Sequence, residues 1–238
     1  MAKLPVLMYH SVTSNKEEAK GLTIHKDTLE QQLLYLKKNG YTTLHFKDLE
    51  PFKIAKDLPK KSVIITFDDV YVNQLELAYP LFKEHNLKAC FYIPFKFVGG
   101  KNEWDEGDKD LMDLYQLKQL DENIIELGSH GYSHINYKTS SLNAIELDLK
   151  RSNSFLLENN LSIHQTIAYP YGKYPKKGEK KDKFFNLLKE NNLKYGLRIG
   201  NRVNAFPFKN NYEIQRLDIK NEDTMLQFIW KLKVGKLF

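Results

Sequence analysis

The sequence predicts a parallel β/α protein in one domain. Eight short apolar or β-branched runs alternate with longer segments of helical periodicity, and no low-complexity linker or internal repeat divides them. A length of 238 residues suits a single large core, because α/β barrels use such lengths for one domain. Eight runs are compatible with a barrel or with a large doubly wound sheet.

The strand candidates are Pro5 to Val12, Tyr41 to Phe46, Ser62 to Asp68, Lys88 to Ile93, Ile124 to Ser129, Gln165 to Pro170, Tyr195 to Ile199 and Glu213 to Asp218. Between them Leu29, Leu33 and Leu36 recur at helical spacing, with Gly40 where a C-terminal cap is wanted. Leu75, Tyr79 and Phe82 form a second stripe, in which Pro80 should kink the helix or limit its first turns. Leu142, Ile145, Leu149 and Leu156 mark a longer helix, and Phe184, Leu187 and Leu188 another. Tyr174 to Lys183 and Val98 to Asp110 read as exposed loops, not boundaries, so residues 1–238 form one domain.

A hydrophobic content of 42% can furnish a substantial core. The formal charge of +6 would favour anionic partners, but the lysines are spread along the chain and interleaved with acids. A solvated surface is therefore expected, and no nucleic-acid function. Cys90 is the one cysteine, which rules out an intrachain disulfide. The start, Met1-Ala2-Lys3-Leu4-Pro5, enters a strand-like run without a signal-peptide pattern, and no stretch approaches the roughly 20 apolar residues of a membrane span. A cytoplasmic protein is expected. From Met225 to Phe238, Leu226, Phe228, Ile229, Trp230 and Leu232 mix with lysines: a final helix packed on the body is preferred, with peripheral contact to an anionic membrane as the second reading.

The strongest chemical signal is Ile64-Ile65-Thr66-Phe67-Asp68-Asp69, an apolar strand ending in two carboxylates. Neighbours at a strand end diverge, so one carboxylate can bind a metal while the other faces a water. A helix cap and turn former would also explain such a pair taken alone. The second signal is Gly128-Ser129-His130-Gly131-Tyr132-Ser133-His134, in which two histidines four apart can converge on a cation. Asp69, His130 and His134 together make an open three-ligand set of the kind catalytic zinc uses. Such a metal lowers the pKa of water and polarises a carbonyl, so hydrolysis follows. Asp68 would be the base, and an acid on the far side of the metal must protonate the departing amine. His10 closes the first strand and is the candidate acid. Tyr169-Pro170-Tyr171-Gly172 ends another strand, and its turn can aim the Tyr171 N–H at an oxyanion. All four segments leave strands at their C-terminal ends, the face on which parallel β/α folds build their sites.

Together these segments resemble the NodB-homology polysaccharide deacetylases, carbohydrate esterase family four, over roughly Leu4 to Asp218. Thr66-Phe67-Asp68-Asp69 is similar to the family's first motif, His130 to His134 to its histidine motif, and Ala168 to Gly172 to the groove-lining third motif. The C-terminal Leu-X-His motif that carries the acid in many members is absent. Leu7-Met8-Tyr9-His10 instead resembles the circularly permuted poly-N-acetylglucosamine deacetylase branch, which makes His10 the preferred acid. Val70 stands where the first motif commonly has Gly, and Ala168 where many members have the arginine that orients the base. Arg216 resembles an arginine in a late strand of the permuted members and is expected in that role.

The resemblance implies a distorted (β/α)7-8 barrel and a divalent metal, zinc foremost with cobalt or nickel as alternatives. It also implies hydrolysis of the N-acetyl group of an amino sugar in a polysaccharide, lipopolysaccharide or precursor. Tyr169, Pro170 and Tyr171 are the expected substrate contacts, joined by Trp104 of the Val98 to Asp110 loop, which can stack on a sugar ring or, the safer reading, pack within its loop. A catalytically inactive carbohydrate-binding protein, or an amidase or deformylase acting on another amide, are the rival readings.

Overall fold

The computed structural model describes residues 1–235. Seven parallel strands form its centre: β1 (Val6–Tyr9), β2 (Ser62–Asp68), β3 (Ala89–Ile93), β4 (Ile125–Ser129), β5 (Thr166–Ala168), β6 (Tyr195–Ile199) and β7 (Ile214–Asp218). They stand side by side in chain order. The ring closes through β1, which pairs with β2 on one side (Val6 opposite Ile64, Tyr9 opposite Phe67) and β7 on the other (Leu7 opposite Leu217). The chain is thus a barrel rather than an open sheet.

Helices α1 (Lys26–Lys38), α2 (Tyr79–His85), α3 (Leu114–Lys118), α4 (Leu142–Glu158) and α5 (Gly178–Glu190) fill the first five crossovers, and α6 (Met225–Val234) follows β7. Pro80 sits in the first turn of α2, where its missing N–H costs nothing. The crossover from β6 to β7 has no helix among the described residues. It carries the strand Asn204–Phe206, antiparallel to Ala2–Leu4 in a separate two-stranded sheet.

Every residue of β2 is buried, because one face looks into the barrel and the other lies under helices. Ile64 joins Cys90, Tyr92, Ala168, Leu197 and Ile214 in the interior. The alternate residues Val63, Ile65 and Phe67 join Leu29, Leu33, Leu36, Leu81 and Phe82 from α1 and α2. Continuing the period of two, Thr66 and Asp68 fall on the inward face with Ile64, and on β7 Arg216 falls there with Ile214.

The expected strand Tyr41 to Phe46 is corrected to the two-residue pairing Thr42–Thr43 against the start of β2, outside the ring. Its remaining apolar residues, Leu44 and Phe46, turn in to plug the interior cluster. The bend is fixed by Glu126, whose carboxylate accepts from the N–H groups of Phe46 (3.0 Å) and Lys47 (2.9 Å). In α6, Phe228 and Leu232 are buried while Leu226 and Trp230 are exposed. Residues 236–238 of the expected C-terminal segment lie outside the described residues. No described helix is long and apolar enough to cross a membrane.

Candidate active site

The C-terminal ends of the strands bring the chemistry-bearing residues to one cavity of about 350 Å³, lined among others by His10, Asp69, Trp104, His130, His134 and Tyr171. Asp68 lies beneath it, against Arg216. Four of the backbone positions that make this site have positive φ: Asp69 (76°), Val70 (49°), His134 (53°) and Tyr171 (57°). Left-handed backbone at a β-branched residue is costly, so Val70 marks a sharp turn that re-aims Asp69 away from Asp68. This is the position where the resembling motif commonly has Gly.

Asp69, His130 and His134 each offer a ligand atom, all within 4.8 Å of one another. Nε2 of His130 and Nε2 of His134 each lie 3.6 Å from Asp69 Oδ1. That oxygen is buried and has no hydrogen-bond partner. Nδ1 of His130 is 2.7 Å from the Ala168 carbonyl, which fixes the ring with Nδ1–H donating and Nε2 free to ligate. Burial, then the neighbouring Asp68 carboxylate, pushes the Asp69 carboxyl well above its usual range. Burial likewise lowers His130 and His134, keeping both imidazoles neutral. Two neutral imidazoles around an unsatisfied carboxylate oxygen fit a divalent cation, which would hold Asp69 ionised.

Asp68 is held differently. Arg216, fully buried, donates from Nη1 to Oδ1 (2.6 Å) and from Nη2 to Oδ2 (2.7 Å). Burial raises the Asp68 carboxyl, but the Arg216 guanidinium and its charge-assisted hydrogen bonds outweigh it and hold it well below the usual carboxylate range. Arg216 thus occupies the neighbourhood that Ala168 leaves without an arginine.

His10 reaches the same cavity, but not across it from Asp68. Its Nε2 is 3.7 Å from Asp68 Oδ2, beside the expected base and not across the cavity from it. Parallel pairing of β1 with β2 forces this, because Tyr9 and Phe67 are register partners and the next residue of each strand exits together. Burial lowers His10 to about 4 against the opposing pull of Asp68.

Tyr171 is 45% exposed at the cavity mouth. The N–H groups that close its turn are those of Gly172 (to Tyr169 O) and Lys173 (to Pro170 O). The expected direct contacts from Tyr169 and Pro170 are corrected: both are buried outside the cavity lining, and the Tyr169 hydroxyl donates to Tyr212 O (2.9 Å). They shape the turn that presents Tyr171. Trp104 lines the cavity, yet one face stacks on the His134 ring, with centroids 4.3 Å apart. A sugar would have only its remaining surface. Tyr171 meets the same imidazole edge-on at 4.7 Å.

Two supporting residues escaped the sequence reading. Asp148 of α4 accepts from Tyr132 N (2.9 Å), Ser133 N (2.8 Å) and the Tyr137 hydroxyl (2.8 Å), shaping the loop that bears both histidines. Its signal was an acid on the core-facing stripe of α4, between Ile145 and Leu149. Gln74 donates to both His10 O (2.9 Å) and Asp68 O (2.6 Å), tying the two strand exits together.

The family model for polysaccharide deacetylases matches residues 55–195, which include Asp68, Asp69, His130, His134 and Tyr171. The chain belongs to the polysaccharide deacetylase family. His10 and Arg216 fall outside the matched span. The poly-β-1,6-N-acetyl-D-glucosamine N-deacetylase of Staphylococcus aureus is 28% identical over 218 residues, covering 88% of this chain and 72% of that protein. The Bacillus subtilis protein YxkH is 32% identical over 176 residues, 73% of this chain; the aligned region spans only 58% of YxkH. Among solved structures, the Streptococcus pyogenes deacetylase PplD superposes with a TM-score of 0.80 at 24% identity, covering 98% of this deacetylase-family chain and 99% of PplD. IcaB from Ammonifex degensii gives 0.78 at 21% identity, with 98% of each chain covered. These likenesses establish the fold.

Proposed function

We propose that this family member is a metal-dependent N-deacetylase acting on an N-acetylated amino sugar in a polysaccharide, lipopolysaccharide or precursor. The observation that carries the reading is the pairing of an ionised, Arg216-held Asp68 with the adjacent Asp69–His130–His134 set in one cavity. Binding alone needs no ionised carboxylate beside a ligand triad, which argues against an inactive sugar-binding protein. The activity of the S. aureus relative supports an N-acetylglucosamine polymer as the first substrate to try.

Asp69, His130 and His134 would hold the cation, zinc being the best match to one carboxylate and two imidazoles. When bound, it would polarise the acetyl carbonyl and acidify water. Asp68 takes the proton from the attacking water, and Arg216 keeps that carboxylate ionised and aimed. The Tyr171 N–H donates to the oxygen on which negative charge develops. His10, neutral at rest, would need to close the 3.7 Å gap to Asp68 Oδ2 to take up the abstracted proton and give it to the departing amine nitrogen. Trp104 and Tyr171 flank His134 and exclude water from it.

The test is acetate release from N-acetylglucosamine oligomers, nucleotide-linked and free N-acetyl amino sugars, and an N-formyl control, using chelated protein with zinc, cobalt or nickel returned. Acetate release that needs the metal is expected. Activity undiminished in metal-free protein, or preference for the formyl amide, would overturn the reading.

A further inference from the structure

Among the described residues a second group of three ligating side chains stands together, Glu30 of α1 with Glu84 and His85 of α2. We propose that they bind a second divalent cation, with zinc as the best match, which clips α1 to α2 on the outside of the barrel. Helix α2 runs back from the exit of β2 to the start of β3, so His85 lies toward the end of the barrel opposite Asp68. The proposed site therefore shares no ligand with the catalytic cavity.

Two acids on a surface would carry no such inference. The imidazole does. His85 is 8% exposed, and its Nε2 is buried without a hydrogen-bond partner. That nitrogen faces Glu30 Oε1 at 3.8 Å, too long for a hydrogen bond. A buried polar atom left unpaired is unfavourable, and a cation between the imidazole and the carboxylates would satisfy it. The three ligand atoms lie within 4.8 Å of one another, whereas donors at tetrahedral zinc stand about 3.4 Å apart. Glu30 and Glu84 reach outward, so rotation of their side chains can close the gap while His85 stays fixed. Two carboxylates balance a divalent charge, and mixed nitrogen and oxygen donors select zinc over magnesium or calcium.

The site would act as a tie between layers. Helix α1 carries Gln32, which accepts from the Tyr9 hydroxyl (2.7 Å) beside His10. The segment leading into α2 carries Gln74, which holds the backbone of His10 and Asp68. Fixing the two helices together would steady both supports from outside.

The experiment counts zinc by elemental analysis and calorimetric titration of chelated, full-length protein. Two ions per chain are expected in the native sequence, one in His130→Ala/His134→Ala, and none when His85→Gln is added. Zinc chloride should raise the melting temperature of the double variant by several degrees but not that of the triple variant. As a check that does not require the double variant to fold, His85→Gln and Glu30→Gln in the native sequence should each drop the count from two to one with acetate release retained. A double variant that binds no zinc, or a zinc count unchanged by His85→Gln, overturns the proposal. One native ion that is lost with His85 and kept without His130 and His134 would support this site while sinking the catalytic metal.

Discussion

Arg216 and Asp68, 148 residues apart in the chain, meet through two parallel hydrogen bonds of 2.6 and 2.7 Å in a fully buried setting. A planar fork matched to a carboxylate cannot be replaced by a point charge. Arg216→Lys should lower turnover on an N-acetyl sugar by at least about tenfold, and Arg216→Met by more than 10²-fold. Removing one partner of a buried pair costs about 3–5 kcal/mol, so Arg216→Met should also unfold at lower urea. The distinguishing readout is the pH profile. Arg216 holds Asp68 low, so its loss should move the acid limb of kcat/KM to higher pH, and an unmoved limb would remove Asp68 as the base.

His10→Ala should reduce amide hydrolysis by about 10²–10⁴-fold while leaving zinc occupancy unchanged. An activated ester, whose alcohol departs without protonation, should suffer far less. Equal losses on both substrates would show that His10 has another role.

Asp148 touches none of the proposed ligand atoms, yet it accepts three hydrogen bonds from the histidine loop. Asp148→Ala should weaken zinc affinity by about 10–100-fold, the size of effect expected when support around a ligand is lost. Asp148→Asn, which keeps acceptor capacity, should recover part of it. Affinity unaltered in Asp148→Ala would mean the loop holds its shape without this anchor.

His45 provides a pH test outside the site. It is buried, its Nε2 lies 3.1 Å from Ile124 O, and burial lowers it to about 4. The unfolded chain takes up this proton near pH 6.5 and the folded one does not until about 4. Stability is therefore complete above about pH 6.5 and lost as pH falls toward 4, by at most about 3 kcal/mol. Urea titrations in chelator should show a shallower loss between pH 7 and pH 5 for His45→Gln than for the native chain. Parallel slopes would contradict this assignment.

The strand exits were legible because their chemistry is local: Asp68 and Asp69 adjoin, and His130 and His134 sit four apart. Seven of the eight strand candidates overlap ring strands by simple apolar patterning, the first of them through Val6–Tyr9. The Tyr41 to Phe46 run misled because an apolar plug and an apolar strand share a composition, and Glu126, 80 residues on, decides between them. Tyr169 and Tyr171 read as one groove-lining motif, but the turn between them buries the first ring and leaves the second at the cavity mouth. His10 was identified by resemblance, but its distance from Asp68 depends on strand register, which no local pattern encodes.

Closing a ring in chain order between its first and last strands has a consequence for biosynthesis. As the polypeptide leaves the ribosome, β1 and β2 can pair early, but the seam beside β1 stays open until Ile214–Asp218 has been made. Until then Asp68 has no guanidinium and must remain hydrated, so its interior wall cannot dry. Entry of β7 brings both the missing strand and the missing charge in one event, making completion of the barrel and ionic completion of the site a single late step. Sequence-distant closure of this kind is intrinsically slow, and a translation arrest before Arg216 would leave a sheet edge exposed to aggregation.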